Sequence, residues 1–168
     1  VQDMIARANG EAFAFVSSNS VRFVTRSHPE GAKVKLPEGL RATGTGFVFT
    51  RRGRARTVAL GPSDGLDTEV AVVDVDPETA AGEVVARARL RGVWARGAFE
   101  PSGERLLAAT SSTNFRSSSY LLLTLEAGKA EARVSPLVTD QEGPQAGFLS
   151  DGSVAAGSVG AFDGRARD

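Results

Sequence analysis

The chain has 168 residues, 41% of them hydrophobic, with 20 Lys plus Arg against 20 Asp plus Glu, one His and no Cys. That is the composition of one globular domain, and its zero net charge gives no electrostatic case for a nucleic-acid or anionic-membrane partner. Without Cys there is no disulfide framework, thiolate nucleophile or Cys-ligated zinc, and no window approaches the 18 consecutive apolar residues of a membrane span.

In chain order, the first element centres on Phe15-Val-Ser-Ser-Asn19, a Phe followed four positions later by Asn. The pattern returns with Gly in the last place as Phe49-Thr-Arg-Arg-Gly53, Phe99-Glu-Pro-Ser-Gly103 and Phe148-Leu-Ser-Asp-Gly152, at intervals of 34, 50 and 49 residues. Asn and Gly accept the positive φ of a tight turn, while Phe before and apolar residues after suit facing strands. Each motif therefore predicts a β-hairpin, with the four phenylalanines in equivalent buried positions. Beyond the hairpins, Val70–Val75 and Tyr120–Leu125 predict third strands lying 50 residues apart, after loops of equal length at Gly61–Glu69 and Ser111–Ser119. Fourth strands are predicted at Val84–Leu90, where apolar and charged residues alternate, and at Ala132–Leu137. No stretch has a capped 3.6-residue apolar period, so helix content is expected to be very low.

Four short strands in a unit of about 50 residues is the period of a β-propeller blade. The fold expected is all-β: a propeller of four-stranded antiparallel blades, with approximate units 1–45, 46–95, 96–145 and 146–168. Such a chain holds roughly 3.4 blades, fewer than the typical four to eight of a closed ring. The first unit is abbreviated, because its interval falls 16 residues short, about one strand and its loop. The last stops at Asp168, in the loop before a third strand. Val1 is not Met, so the expectation is a processed product or a piece of something longer.

The segment GVWARGAFEPSGERLLAATSS, preceded by VAVVDVDPETAAGEVVARARL, resembles the repeats of YVTN-type and TolB-like propellers, in which an innermost strand leads into an F-S-P-D-G-like turn. The resemblance spans about residues 46–160 and, more weakly, 10–26. It implies a propeller fold and a secreted or periplasmic setting, and leaves function open, since these repeats serve binding scaffolds and enzymes alike. The turns depart from the family pattern: Pro101-Ser102-Gly103, Arg51-Arg52-Gly53 and Ser150-Asp151-Gly152 stand where Pro-Asp-Gly is usual. No WD dipeptide is present, which disfavours the WD-repeat subtype.

Candidate chemistry is sparse. His28, between Ser27 and Pro29, reads as a solvated loop residue, and no G-x-S-x-G elbow offers a serine nucleophile to go with it. Asp64, Asp67 and Glu69 crowd one loop and are a calcium candidate, able to supply two or three of the six to eight oxygens the ion takes, although a solvated turn is the simpler reading. Of the 20 basic residues 17 are Arg, an excess that reflects a GC-rich genome more than a binding surface. The densest group is Arg51, Arg52, Arg54 and Arg56; at alternating strand positions Arg52, Arg54 and Arg56 share one face and form an interaction candidate for an acidic partner, the plain alternative being an exposed strand. Trp94 is expected to be buried between blades. The Gly-rich stretches 44–47 and 155–164 lack the phosphate-loop pattern and suit close packing near a propeller axis.

These readings converge on a non-catalytic scaffold for protein–protein interaction or assembly, with no cofactor and no catalytic residue of its own. The partner expected is another polypeptide that completes the propeller, either a fragment of the same precursor or a further copy. The alternative is the propeller portion of an enzyme, lactonase-like or gating a hydrolase, whose catalytic residues lie outside this chain.

Overall fold

A computed structural model of the chain describes residues 3–6, 11–17, 20–50, 53–111, 118–125, 132–139 and 144–158. The described residues are all-β and form consecutive antiparallel sheets. Blade 1 has the order β1 (Asp3–Ala6), β2 (Ala12–Ser17), β3 (Ser20–Thr25) and β4 (Ala32–Lys33). Blade 2 comprises β5 (Arg41–Phe49), β6 (Ala55–Ser63), β7 (Asp67–Val75) and β8 (Gly82–Arg91). Blade 3 comprises β9 (Val93–Phe99), β10 (Arg105–Ser111), β11 (Ser118–Leu125) and β12 (Ala132–Thr139), and blade 4 is the hairpin β13 (Pro144–Phe148) and β14 (Val154–Ser158).

The repeated turn shares one hydrogen bond and one left-handed glycine in blades 2, 3 and 4. The N–H of Gly53, Gly103 and Gly152 donates to the carbonyl of the residue after each Phe, at 3.0, 2.8 and 2.9 Å. Each glycine has a φ of 77–80°, in the left-handed region where an L side chain is strained. This explains why the motif spaces Phe and Gly so rigidly. The corresponding turn of blade 1, at Ser18 and Asn19, lies outside the described residues.

The blades stack face to face, and strand alternation sends successive residues to opposite neighbours. On blade 2, Ala55, Ala59, Ala71 and Val73 pack with Ala14, Val16, Val21 and Phe23 of blade 1. The intervening Val58, Leu60, Val70 and Val72 pack with Leu106, Ala108, Leu121 and Leu123 of blade 3. Leu107 and Ala109, on the other face of β10, meet Phe148 and Val154 of blade 4. All four phenylalanines are half-buried rather than fully enclosed; Phe49, Phe99 and Phe148 end their ladders beside the turn and pack toward the preceding blade, whereas Phe15 stands two pairs back from its turn, in the ladder position facing Arg22. Phe49 sits with Phe23 and Phe47 at ring-centroid distances of 6.1 and 5.2 Å, Phe99 packs against the blade 2–blade 3 core, and Phe148 packs on blade 3. Partial exposure lowers the expected cost of Phe99→Ala to roughly 2–3 kcal/mol, below that of a fully buried Phe. Urea denaturation checks this; a loss under about 1 kcal/mol would contradict the placement.

Two boundaries differ from expectation. The predicted loop Gly61–Glu69 shrinks to the turn Asp64–Leu66, because β6 runs on to Ser63 through a register shift between Leu60 and Ser63 and β7 begins at Asp67. Pro62, which has no N–H for the ladder, lies in that irregularity. Blade 1 is short after its Phe, as the interval implied, its last strand having two residues, but β1 adds a strand on the other side of β2 and restores four.

Candidate functional site

The charged residues of blade 2 fall into two groups on opposite faces. One lies at an open cleft of about 410 Å³ lined by Pro62, Ser63, Asp64, Glu69, Arg87, Ala88 and Arg89, all of blade 2. The β7–β8 ladder sets Glu69 opposite Arg89 and Ala71 opposite Arg87, so these side chains share the face of buried Ala71. Arg87 pairs with Glu69, and Arg89 reaches Asp64 and, at 3.3 Å, Asp67. Gly61 leaves room for this arrangement, since a Cβ there would lie 2.9 Å from the Glu69 carboxyl carbon.

The calcium candidates are therefore drawn together, with arginine partners. Only Asp64 is in a turn; Asp67 and Glu69 belong to β7. Asp64 Oδ1 accepts the N–H groups of Leu66 at 3.0 Å and Asp67 at 2.8 Å. Those two bonds, Asp67 first, and then Arg89 hold its carboxyl below the usual carboxylate range. Among the described residues, no group of three or more His, Cys, Asp or Glu is placed to hold a metal ion.

On the other face, Arg56 shares the side of Val58 and Leu60, which is turned to blade 3. Its guanidinium grips Asp74, Nε to Oδ1 at 2.5 Å and Nη2 to Oδ2 at 3.0 Å, and Nη1 donates to the carbonyl of Gly103 in blade 3's turn at 2.5 Å. Arg105, 49 residues on, repeats the act: it binds Glu100 and donates at 2.7 Å to the carbonyl of Gly152 in blade 4's turn. Arg56 is thus spent on a joint between blades, Arg54 is exposed ahead of β6, and Arg52 lies outside the described residues. Of the predicted stripe, the two described members therefore differ, Arg54 being exposed and Arg56 engaged between blades. The shared 49-residue offset of Arg56 and Arg105, and of Gly103 and Gly152, is the sequence signal for these clamps.

His28 is in a loop, as expected, yet half-buried and tied to blade 2: its Nε2 lies 2.6 Å from the carbonyl of Glu78, while Ser27 donates to the Glu78 carboxylate. Trp94 packs in the core between blades 2 and 3, its indole edge against Gly97. The Gly44–Phe47 stretch forms an irregular bend of β5 beside the neighbouring inner strand, where Thr45 Oγ1 accepts the N–H of Gly97 at 3.1 Å.

No family model matches the sequence, and no curated protein matches it. The chain is similar in structure to a Bacteroides fragilis protein assigned as a 6-phosphogluconolactonase, at 15% identity and a TM-score of 0.53, over 83% of this chain and 39% of that one. It is also similar to two variants of Synechocystis apocarotenoid oxygenase, each at 9% identity. One has a TM-score of 0.52, over 85% of this chain and 36% of that one; the other has 0.50, over 95% and 40%. The chain spans about two fifths of the length of these structures. At such identities the likeness shows the fold alone, a propeller-type stack of antiparallel blades.

Proposed function

We propose that the chain is a section of a β-propeller of the YVTN or TolB-like sort, that it acts as a non-catalytic interaction scaffold, and that another polypeptide completes its ring. The observation supporting this most is the engagement of Asp64, Asp67 and Glu69 by Arg87 and Arg89. A general acid or base works best with a pKa near the operating pH, whereas the N–H groups of Asp67 and Leu66, and then Arg89, hold the Asp64 carboxyl below the usual carboxylate range. Paired exposed charges of both signs instead suit the rim of an interface, where they set register and suppress wrong partners. The isolated chain is expected to give no turnover of lactone, ester or peptide substrates. Turnover that persists through fresh purification and is lost in Asp64→Asn or His28→Ala would overturn the scaffold reading.

A second reading has one observation in its favour: the similar structures include a protein assigned as a lactonase and an oxygenase, each longer than this chain. In that reading these residues are the propeller portion of an enzyme whose catalytic groups lie elsewhere. A longer polypeptide containing them would then turn over substrate where the chain alone does not.

A further inference from the structure

Strand β8, the last of blade 2, has an edge that pairs with little else. Among the described residues it pairs with β7 along one side. On the other it pairs only with Lys35, whose N–H donates to the Ala80 carbonyl at 2.8 Å and whose carbonyl accepts the Gly82 N–H at 3.1 Å, a single parallel bridge at Ala81. The ladder orients the rest of that edge. Gly92 donates its N–H to the Leu66 carbonyl at 2.6 Å, which makes Asp67 and Arg91 a facing pair without mutual hydrogen bonds. The register is unbroken from there to Val72 and Ala86, so Glu69 with Arg89 and Ala71 with Arg87 are pairs of the same kind. The N–H and C=O groups of Arg87, Arg89 and Arg91 therefore point away from β7, to the open edge. Their side chains share one face by alternation, and all three residues are exposed except for their stems or pairs with acidic neighbours, Arg87 and Arg89 by 52% and 67% of the side chain.

We propose that this edge takes an extended acidic segment of a partner polypeptide as a fifth strand, with carboxylates on alternate residues set against Arg87, Arg89 and Arg91. The proposal rests on the scaffold reading and deepens it by naming the partner's chemistry. In strand addition the edge backbone supplies the pairing and alternate side chains supply the selection. A guanidinium carries a fork of N–H donors. Arg87 gives Nη1 to Glu69, and Arg89 gives Nη2 to Asp64 and Nε to Asp67, so each keeps donors for a further carboxylate. Arg91 has no carboxylate partner among the described residues. A second copy of β8 is a poor occupant, because antiparallel self-pairing about Arg89 sets arginine against arginine, and like charges across a ladder repel.

Fluorescence anisotropy tests this, with the purified chain titrated into a labelled peptide of alternating Glu and Val that matches the 10 residues of β8. The expected result is saturable binding, weakened about tenfold or more in Arg91→Glu, a change at an exposed residue that leaves circular dichroism unaltered. A peptide of the same composition with Glu and Val in two blocks is expected to bind about tenfold more weakly or worse. N-methylation of every second amide should abolish binding in one phase and spare it in the other, because a strand turns alternate N–H groups to its neighbour. That comparison uses the unaltered chain. No binding up to millimolar concentration overturns the proposal, as does equal binding by Arg91→Glu, by the block peptide or by both N-methylated peptides. Single-stranded DNA of similar length that binds as tightly also overturns it, by making the edge a general polyanion surface. Each of these failures leaves the scaffold reading to its own turnover assays.

Discussion

Gly46→Ala is expected to destabilise the chain by about 3 kcal/mol, from left-handed backbone strain and overpacking together. Gly46 has a φ of 79°. A Cβ there would sit 2.6 Å from Val58 Cγ2 and 3.3 Å from Val58 Cβ. Val58 is fully buried, and its other side is packed on blade 3, so it cannot withdraw. The bend in β5 that Gly46 permits also brings Thr45 to the N–H of Gly97. The loss should therefore come with weakened coupling between blades 2 and 3, seen as a broader or biphasic urea transition. An unfolding midpoint within error of the parent would show that the bend is not needed.

Arg56→Ala is the second large effect, a loss of about 3 kcal/mol, because truncation strands a partner charge in a poorly hydrated joint. The Arg56 and Asp74 side chains are 16% and 14% exposed, and the guanidinium serves the carboxylate and the Gly103 carbonyl at once. Arg56→Lys should recover only part of the loss, since a point-like ammonium cannot reproduce the fork geometry. Arg89→Ala is the control: its side chain is 67% exposed, and an exposed pair adds little. Equal losses at positions 56 and 89 in urea unfolding would refute the distinction between joint and rim.

The fold was legible in the sequence where local chemistry leaves one solution. A turn needing positive φ accepts Gly or Asn, so Gly53, Gly103 and Gly152 recur at a fixed distance from Phe. Strands β7, β8, β11 and β12 announce themselves by alternation or by short apolar runs at a constant offset. What stayed hidden depends on distant pairing. Alternation places Arg54 and Arg56 on one face of a strand, but whether that face meets water or another blade is decided by Asp74 and Gly103, 18 and 47 residues away. Likewise Asp64, Asp67 and Glu69 read as a cation cluster until the β7–β8 register brings Arg87 and Arg89 onto them. His28 looked solvated because Glu78, 50 residues on, is invisible to local reasoning.

The central claim is that consecutive units stack as blades, so that protection is greatest where both faces of a blade are covered. Amide hydrogen exchange resolved to individual strands measures this directly. The account predicts slowest exchange in β6 and β7, whose residues Val58, Ala59, Ala71, Val72 and Val73 are buried toward both neighbours, and faster exchange in β1 and β4 at the end of the stack. Equal protection across the strands, or slowest exchange in blade 1, would contradict it.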